Sequence, residues 1–402
     1  MIAGRYVARY HREMDASADP ILEIGAILLA AVGGGWFARR LGLPAIVGYL
    51  VVGLVVSPFT PGYVASRQQL ELLADVGVVL LLFEVGIEVD LDRLRREHGP
   101  LLWAAPAQAL LSMAIAGGAF VAIGLEPLSA ALVGLCVALS SSVVIVNITR
   151  SRRRTTDRET EVALLGWSVL QDLVGVSLAA ILLAALDSGR RSLPEALAGL
   201  VAFGVLAVVV AQLLPFVLRR LREEHDLFLI ASVASGLTVA GIGAVTFGVP
   251  LALAAFVGGL AITESHEADE APRRLLPFRD VFAVLFFVAI GTLVDSNRLE
   301  AALPTIGLLV ALIVLAKVGV VWLLARIARL RVRPLQLAVG LGQIGEFSFV
   351  LASAGVAVDA IDQVLYVAII ASVAVSIGVS SVAVRLVPRL TGPPQAGLPG
   401  PA

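Results

Sequence analysis

Residues 342–349 read GQIGEFSF. Two glycines (Gly342 and Gly345), an amide (Gln343) and a carboxylate (Glu346) interrupt an apolar run that otherwise extends from about 335 to 357. A helix broken inside hydrocarbon leaves backbone N–H and C=O groups unsatisfied, so it is tolerated only where protein or a wet cavity supplies partners. A second run is broken comparably: ALSSSVVIVN, residues 138–147, places Ser140, Ser141 and Ser142 inside a run from about 128 to 148. Taken singly, such serines and glycines are also how membrane helices pack closely. Taken as a matched pair in two halves of a chain, they point to discontinuous helices that form a midplane ion site.

Working outward, apolar runs bounded by Arg, Gly, Pro or acidic residues give thirteen spans, near 21–38, 44–56, 69–89, 100–123, 128–148, 161–186, 193–218, 227–247, 249–263, 277–294, 303–328, 335–357 and 361–387. The second and ninth are shorter than the roughly 20 residues a straight crossing needs. Loop charge tests this division. The loops after odd-numbered spans, with their flanks and the C-terminal tail, hold 22 arginines, and the loops after even-numbered spans hold Arg67, Arg190, Arg191 and Arg298. By the positive-inside rule the odd loops and the C-terminus are cytoplasmic and the N-terminus is outside, in a multi-pass protein of the cell membrane. Thirteen spans divide as six, one linker and six, the arithmetic of an inverted repeat. The expected organisation is a tail at 1–20, a membrane domain at 21–388 (first repeat 21–186, linker 193–218, second repeat 227–388) and a short tail at 389–402. The fifth and twelfth spans, which carry the interruptions, then correspond.

The chain has a single lysine, Lys317, inside TIGLLVALIVLAKVGVVWLLARI. Nine residues, Val318 to Arg326, separate it from the end of its run, about two and a half turns, which argues against a lysine that merely snorkels to the interface. An ionised group at such depth costs about 3 kcal/mol on insertion scales and calls for a partner. Span six holds Gln171 and Asp172 near its middle. A buried carboxylate binds a dehydrated monovalent cation or a proton but not both at full strength, and that competition couples two ion fluxes. Gln171 adds a neutral carbonyl oxygen. A structural salt bridge is the alternative role for Asp172. Lys317 is expected to be neutral, to pair with Asp172 or to bind Glu346. Glu84 and Glu88 lie four apart on one helical face, Glu88 beside an arginine-rich loop; Asp75, Glu264 and Asp295 sit near span ends, where solvated or capping roles are the default.

Composition agrees with this reading and narrows it. Hydrophobic residues are 58% and charged residues 15%, with mean hydropathy +0.94, as in a polytopic membrane protein. A net charge of -1 offers no nucleic-acid footprint. The one cysteine, Cys136, allows no intrachain disulfide and no cysteine-built metal site. The segment before Ile21 does not read as a cleavable signal peptide. His11, His98, His225 and His266 show no metal spacing, and no nucleophile elbow or phosphate-cradling loop appears, so no enzyme chemistry and no cofactor is expected.

The motifs LPAIVGYLVVGLVVSP, LLLFEVGIEVDL, ALSSSVVIV, WSVLQDL, AAFVGGLAITES, FFVAIGTLVD, the span of Lys317 and GQIGEFSFVL, in this order over roughly 21–388, resemble the membrane domain of the cation:proton antiporter-2 family, most closely its Kef-type potassium/proton antiporters. The resemblance implies a homodimer with a dimerisation domain and an ion-binding core that moves like an elevator. It also implies that Asp172 carries cation and proton, beside the crossed, unwound fifth and twelfth helices, with Ser140, Ser141, Ser142, Lys317, Gln343 and Glu346 in support. Two departures stand out. The chain ends soon after its last span, so the nucleotide-binding regulatory domain of Kef proteins is not expected in it, which leaves a separate regulatory subunit open as a partner. Relatives with two adjacent acids pair the first with the membrane lysine, and here that position is Gln171, which favours electroneutral exchange of one cation for one proton. The expected function is therefore cation/proton antiport with K+ favoured over Na+. A Na+/H+ antiporter of the same fold, a passive cation channel and a non-transporting membrane sensor are the competing readings.

Overall fold

The computed structural model describes residues 2–58, 67–87, 99–141, 144–145, 156–186, 193–221, 223–249, 251–263, 271–345 and 347–391. The fold is all-helical among them. The first half comprises α1 (Ile2–Arg40), α2 (Ala45–Val55), α3 (Arg67–Ile87), α4 (Leu101–Ala122), α5 (Pro127–Ala138) and α6 (Arg158–Leu186), followed by the linker α7 (Leu193–Leu221). The second half comprises α8 (His225–Phe247), α9 (Leu251–Thr263), α10 (Ala271–Thr292), α11 (Leu299–Leu312), a π-helical turn (Ile313–Val318), α12 (Gly319–Ile327), α13 (Pro334–Leu341), α14 (Phe347–Ala357) and α15 (Gln363–Thr391). Seven described helices are long and apolar enough to cross a membrane, among them Ile21–Arg40, Ala198–Leu221 and the continuous rod Ser296–Ile327. At 11 residues, α2 is about 16 Å long, roughly half a hydrocarbon core.

Local chemistry sets several boundaries. Glu126 opens α5 by accepting from Leu128 N (3.0 Å) and Ser129 N (3.1 Å), with Pro127 at the first helical position. Gly248 closes α8 in the left-handed region at φ 66°. α1 begins at Ile2, so residues 2–20 are helical and continuous with the first span. A helix need not stop where the sequence turns polar, because its backbone bonds are internal.

The helices pack in two groups. α1, α2, α3, α7, α8, α9 and α10 form one, which we call the panel; α4, α5, α6 and the helices from α11 to α15 form the other, the core. Within the panel the repeats interlock at two glycine crossings. A Cβ on Gly53 of α2 would lie 2.1 Å from Val288 O and 2.7 Å from Gly291 Cα of α10; one on Gly259 of α9 would lie 2.0 Å from Phe83 O and 2.9 Å from Gly86 Cα of α3. Only glycine permits such backbone approach. Gly53 and Gly259 are each the ninth residue of their helices, counted from Ala45 and Leu251. Spans two and nine thus occupy equivalent places against spans ten and three, as an inverted repeat requires.

Candidate ion site at the helix crossing

The two interrupted spans meet in the core. α5 stops at Ala138, residues 139–141 are non-helical, and Val144 and Ile145 are helical, with Ser141 bonded to them through Val144 N→Oγ (3.2 Å) and Ile145 N→Ser141 O (3.1 Å). The other run stops at Leu341 and resumes at Phe347. The breaks are stitched together: Ser141 N donates to Gln343 Oε1 (3.0 Å) and Gln343 Nε2 donates to Ser141 O (3.2 Å). Ser140 Oγ donates to Leu341 O (2.8 Å), and Gly345 N donates to Leu139 O (3.0 Å). Gly345 is required here, because a Cβ would lie 2.6 Å from both the carbonyl carbon and the oxygen of Ser140.

Neighbouring helices satisfy the remaining freed groups. Ser380 of α15 donates to Val339 O (2.7 Å), and Ser376 Oγ accepts from Ile344 N (3.1 Å). Ser348 Oγ donates to Cys136 O at 2.8 Å, tying α14 to α5. This is the pattern by which broken membrane helices persist.

Lys317 lies at the centre of this crossing. Its side chain is fully buried, and Nζ donates to Leu139 O and Gln343 O, both at 2.5 Å. Each acceptor lies just past the C-terminal end of a half-helix, α5 or α13, where freed carbonyls carry partial negative charge. The side chain of Lys317 therefore joins the two breaks through main-chain acceptors that the sequence does not display. Asp172, also fully buried, and Lys317 lie within each other's electrostatic field. The lysine sits in the π turn, a helical irregularity frequent at functional sites. Ser142, Glu346 and Glu88, and the side chain of Glu84, lie outside the described residues.

Gln171, next to Asp172, is also fully buried. Its Nε2 donates to Gln108 Oε1 and, at 3.5 Å, to Ala138 O, while its Oε1 is buried and accepts no hydrogen bond among the described residues. Gln108 of α4 also takes a hydrogen bond from Trp167 Nε1 (3.2 Å) and donates to Ser112 Oγ (2.8 Å) and Ala138 O (3.3 Å). Ser112 Oγ in turn donates to Ala316 O, beside Lys317, at 2.6 Å. Gln108, Ser112 and Trp167 escaped the sequence reading. A signal existed: Gln108 and Ser112 stand four apart, hence on one helical face, in an otherwise apolar run.

Chemically, the crossing gathers a buried carboxylate, an amide oxygen and freed main-chain carbonyls, all hard oxygen donors suited to alkali cations. Among the described residues no cluster of His, Cys, Asp and Glu could hold a metal ion. Asp295, as expected near a span end, caps the turn at Ser296–Arg298 through Asn297 N (3.0 Å) and pairs with Arg298 at 3.1 Å.

A helical membrane bundle with crossed, interrupted helices around a buried carboxylate defines a class, the sodium/proton antiporter-like fold. The structure is similar to the sodium proton antiporter MjNhaP1 from Methanocaldococcus jannaschii at pH 8, with a TM-score of 0.72 and 19% identity, over 91% of this chain and 97% of that one. Residues 27–388 match the family described as sodium/hydrogen exchanger, transmembrane, and the chain belongs to that family. Among curated relatives it is 31% identical to the putative cation/proton antiporter YbaL of Escherichia coli (strain K12), over 86% of this chain and 64% of the relative. It is 30% identical to the glutathione-regulated potassium-efflux system protein KefC of Enterobacter sp. (strain 638), over 88% and 58% respectively. K(+) efflux antiporter 6 of Arabidopsis thaliana is 26% identical over 92% of this chain and 64% of the relative. The chain thus spans about three fifths of the length of these relatives.

Proposed function

We propose that this chain exchanges a monovalent cation for a proton across the cell membrane, with Asp172 as the shared carrier. The observation that carries the reading is a fully buried Asp172 beside a crossing whose half-helix ends are joined by Lys317. Protonated, the carboxylate needs no cation; ionised, it carries a buried charge whose cost a bound cation offsets. Cation and proton therefore alternate. Gln171 stands beside Asp172 where a second carboxylate would add another titrating charge, which favours a one-for-one, electroneutral exchange.

Potassium is the favoured cation, because relatives named as potassium-efflux and K(+) efflux antiporters align along most of the chain. Exchange of sodium is the second reading, favoured by the likeness to a sodium proton antiporter. Alternating access is assigned to displacement of the core against the panel, in a homodimer with the N-terminus outside. The test is flux in proteoliposomes. Added K+ is expected to dissipate an imposed proton gradient without generating a membrane potential, more effectively than Na+, and Asp172→Asn is expected to abolish the exchange. Conductance that persists in Asp172→Asn, or no proton movement with either ion, would sink the proposal.

A further inference from the structure

Gln171 adjoins the proposed carrier, and the direction of its amide decides whether it offers that site an oxygen or an N–H. The surrounding hydrogen bonds fix that direction from two ends. At one end, the indole N–H of Trp167 can only donate, so the Gln108 atom facing it at 3.2 Å is the oxygen. At the other end, Ser112 spends its single hydroxyl proton on Ala316 O, so it must accept from Gln108, which places the Gln108 nitrogen there, at 2.8 Å. Both ends demand the same orientation of Gln108. Its oxygen then faces Gln171, and a flipped Gln171 would set oxygen against oxygen. Gln171 must present Nε2 to Gln108, and its Oε1 is left buried, accepting no hydrogen bond among the described residues.

We propose that Trp167, Gln108 and Ser112 are positioning residues: a directional hydrogen-bond relay that locks Gln171 with its carbonyl oxygen presented to a dehydrated alkali cation at Asp172. The inference rests on the exchange reading above. It deepens that reading by assigning part of the cation affinity to a fourth-span glutamine that contacts no ion. A buried acceptor held in place before the ion arrives contributes affinity because its orientation need not be set during binding. An amide free to flip would as often present an N–H, which repels a cation.

The experiment measures the half-saturating KCl concentration for dissipation of an imposed proton gradient in proteoliposomes, for Gln108→Leu, Gln171→Ala and the double variant. Gln108→Leu is expected to raise half-saturation about tenfold, the equivalent of roughly 1.4 kcal/mol, with the rate at saturating K+ within about twofold of the parent. In the Gln171→Ala background the same change is expected to add less than about twofold, since the amide it orients is gone. Equal increases in both backgrounds would mean that Gln108 acts through general packing and would overturn the relay. So would an unchanged half-saturation in Gln108→Leu. Unchanged half-saturation in Gln171→Ala would remove the amide oxygen from the site, overturning the inference while leaving exchange at Asp172 standing. Loss of all K+- and Na+-driven exchange in the parent protein would instead defeat the reading beneath it. If Gln108→Leu does not yield folded protein, Trp167→Phe combined with Ser112→Ala unlocks both ends while keeping Gln108, and carries the same expectation.

Discussion

Replacing Lys317 with methionine keeps most of the side-chain volume and removes the ammonium that joins the two breaks. Two charge-assisted hydrogen bonds disappear, to Leu139 O and Gln343 O. Each such bond contributes about 1.5–3 kcal/mol net, so the loss would be roughly 3–6 kcal/mol if nothing compensated. Two effects reduce it. Leu139 O still accepts from Gly345 N at 3.0 Å, so only the Gln343 carbonyl loses a strong partner outright. The cost of burying the ammonium also disappears, and for a well-packed apolar replacement this recovers on the order of 1–4 kcal/mol. The expected net destabilisation is about 1–3 kcal/mol, enough to lower the melting temperature of the purified protein by several degrees. Asp172→Asn is the comparator. It keeps the side-chain shape and leaves both hydrogen bonds of Lys317 in place, so the melting temperature is expected to fall less than in Lys317→Met while exchange is lost. Thermal melting of the two variants in detergent, followed by flux on the same preparations, separates the roles. A Lys317→Met protein that melts within about 1 °C of the parent, or an Asp172→Asn protein that loses stability as Lys317→Met does, would refute the division into a structural cation and a carrier carboxylate.

Two further outcomes are expected. Gly345→Ala forces a Cβ to within 2.6 Å of the Ser140 carbonyl and should cost about 1–3 kcal/mol or prevent assembly of the crossing, whereas Gly118→Ala, with nothing within 4 Å of its Cβ, should be neutral or slightly stabilising; comparable melting temperatures for the two would contradict the geometry. Under the proposed competition of cation and proton for one carboxylate, the half-saturating K+ concentration should rise by up to about tenfold per unit of falling pH while the rate at saturating K+ holds, and a half-saturation indifferent to pH in a flux titration would exclude a shared site.

Much of this was legible in the sequence, for a physical reason. Hydrocarbon punishes every unsatisfied polar group, so GQIGEFSF, ALSSSVVIV and Lys317 could not be incidental, and arginine placement tested the number of runs independently. The carbonyl partners of Lys317 were not legible. Sequence displays side chains and so offered Asp172 and Glu346, whereas the two described acceptors are main-chain carbonyls at the points where two helices stop. The π turn was hidden likewise, since IVLAKV carries no breaker residue. Gln108 was passed over because an amide beside Pro106 reads as a local irregularity until the fold brings Trp167 and Gln171 to it.

The two helix groups are held together by different forces, and that difference bears on how an ion could cross. In the panel, α2 meets α10 and α3 meets α9 through glycine backbones in contact, a dry and close-packed arrangement with little room to slide. In the core, the hydrogen bonds around the crossing join α4 to the π turn, α14 to α5, α15 to α13, and the two breaks to each other and to the π turn, so each break is satisfied by other core elements. Moving the core as one body would leave all of those bonds intact. Where core meets panel, as α15 against α2 or α6 against α7 and α9, apolar contact such as Leu43 against Gly378 is without fixed direction. A boundary of that kind loses little when shifted, whereas unpicking the crossing would strand carbonyls and an ammonium in a dry interior at several kcal/mol. The lower-cost route to alternating access is therefore to carry Asp172, Lys317 and both breaks together past the panel, and the energetics favour the displacement proposed for the core over any opening of the crossing itself.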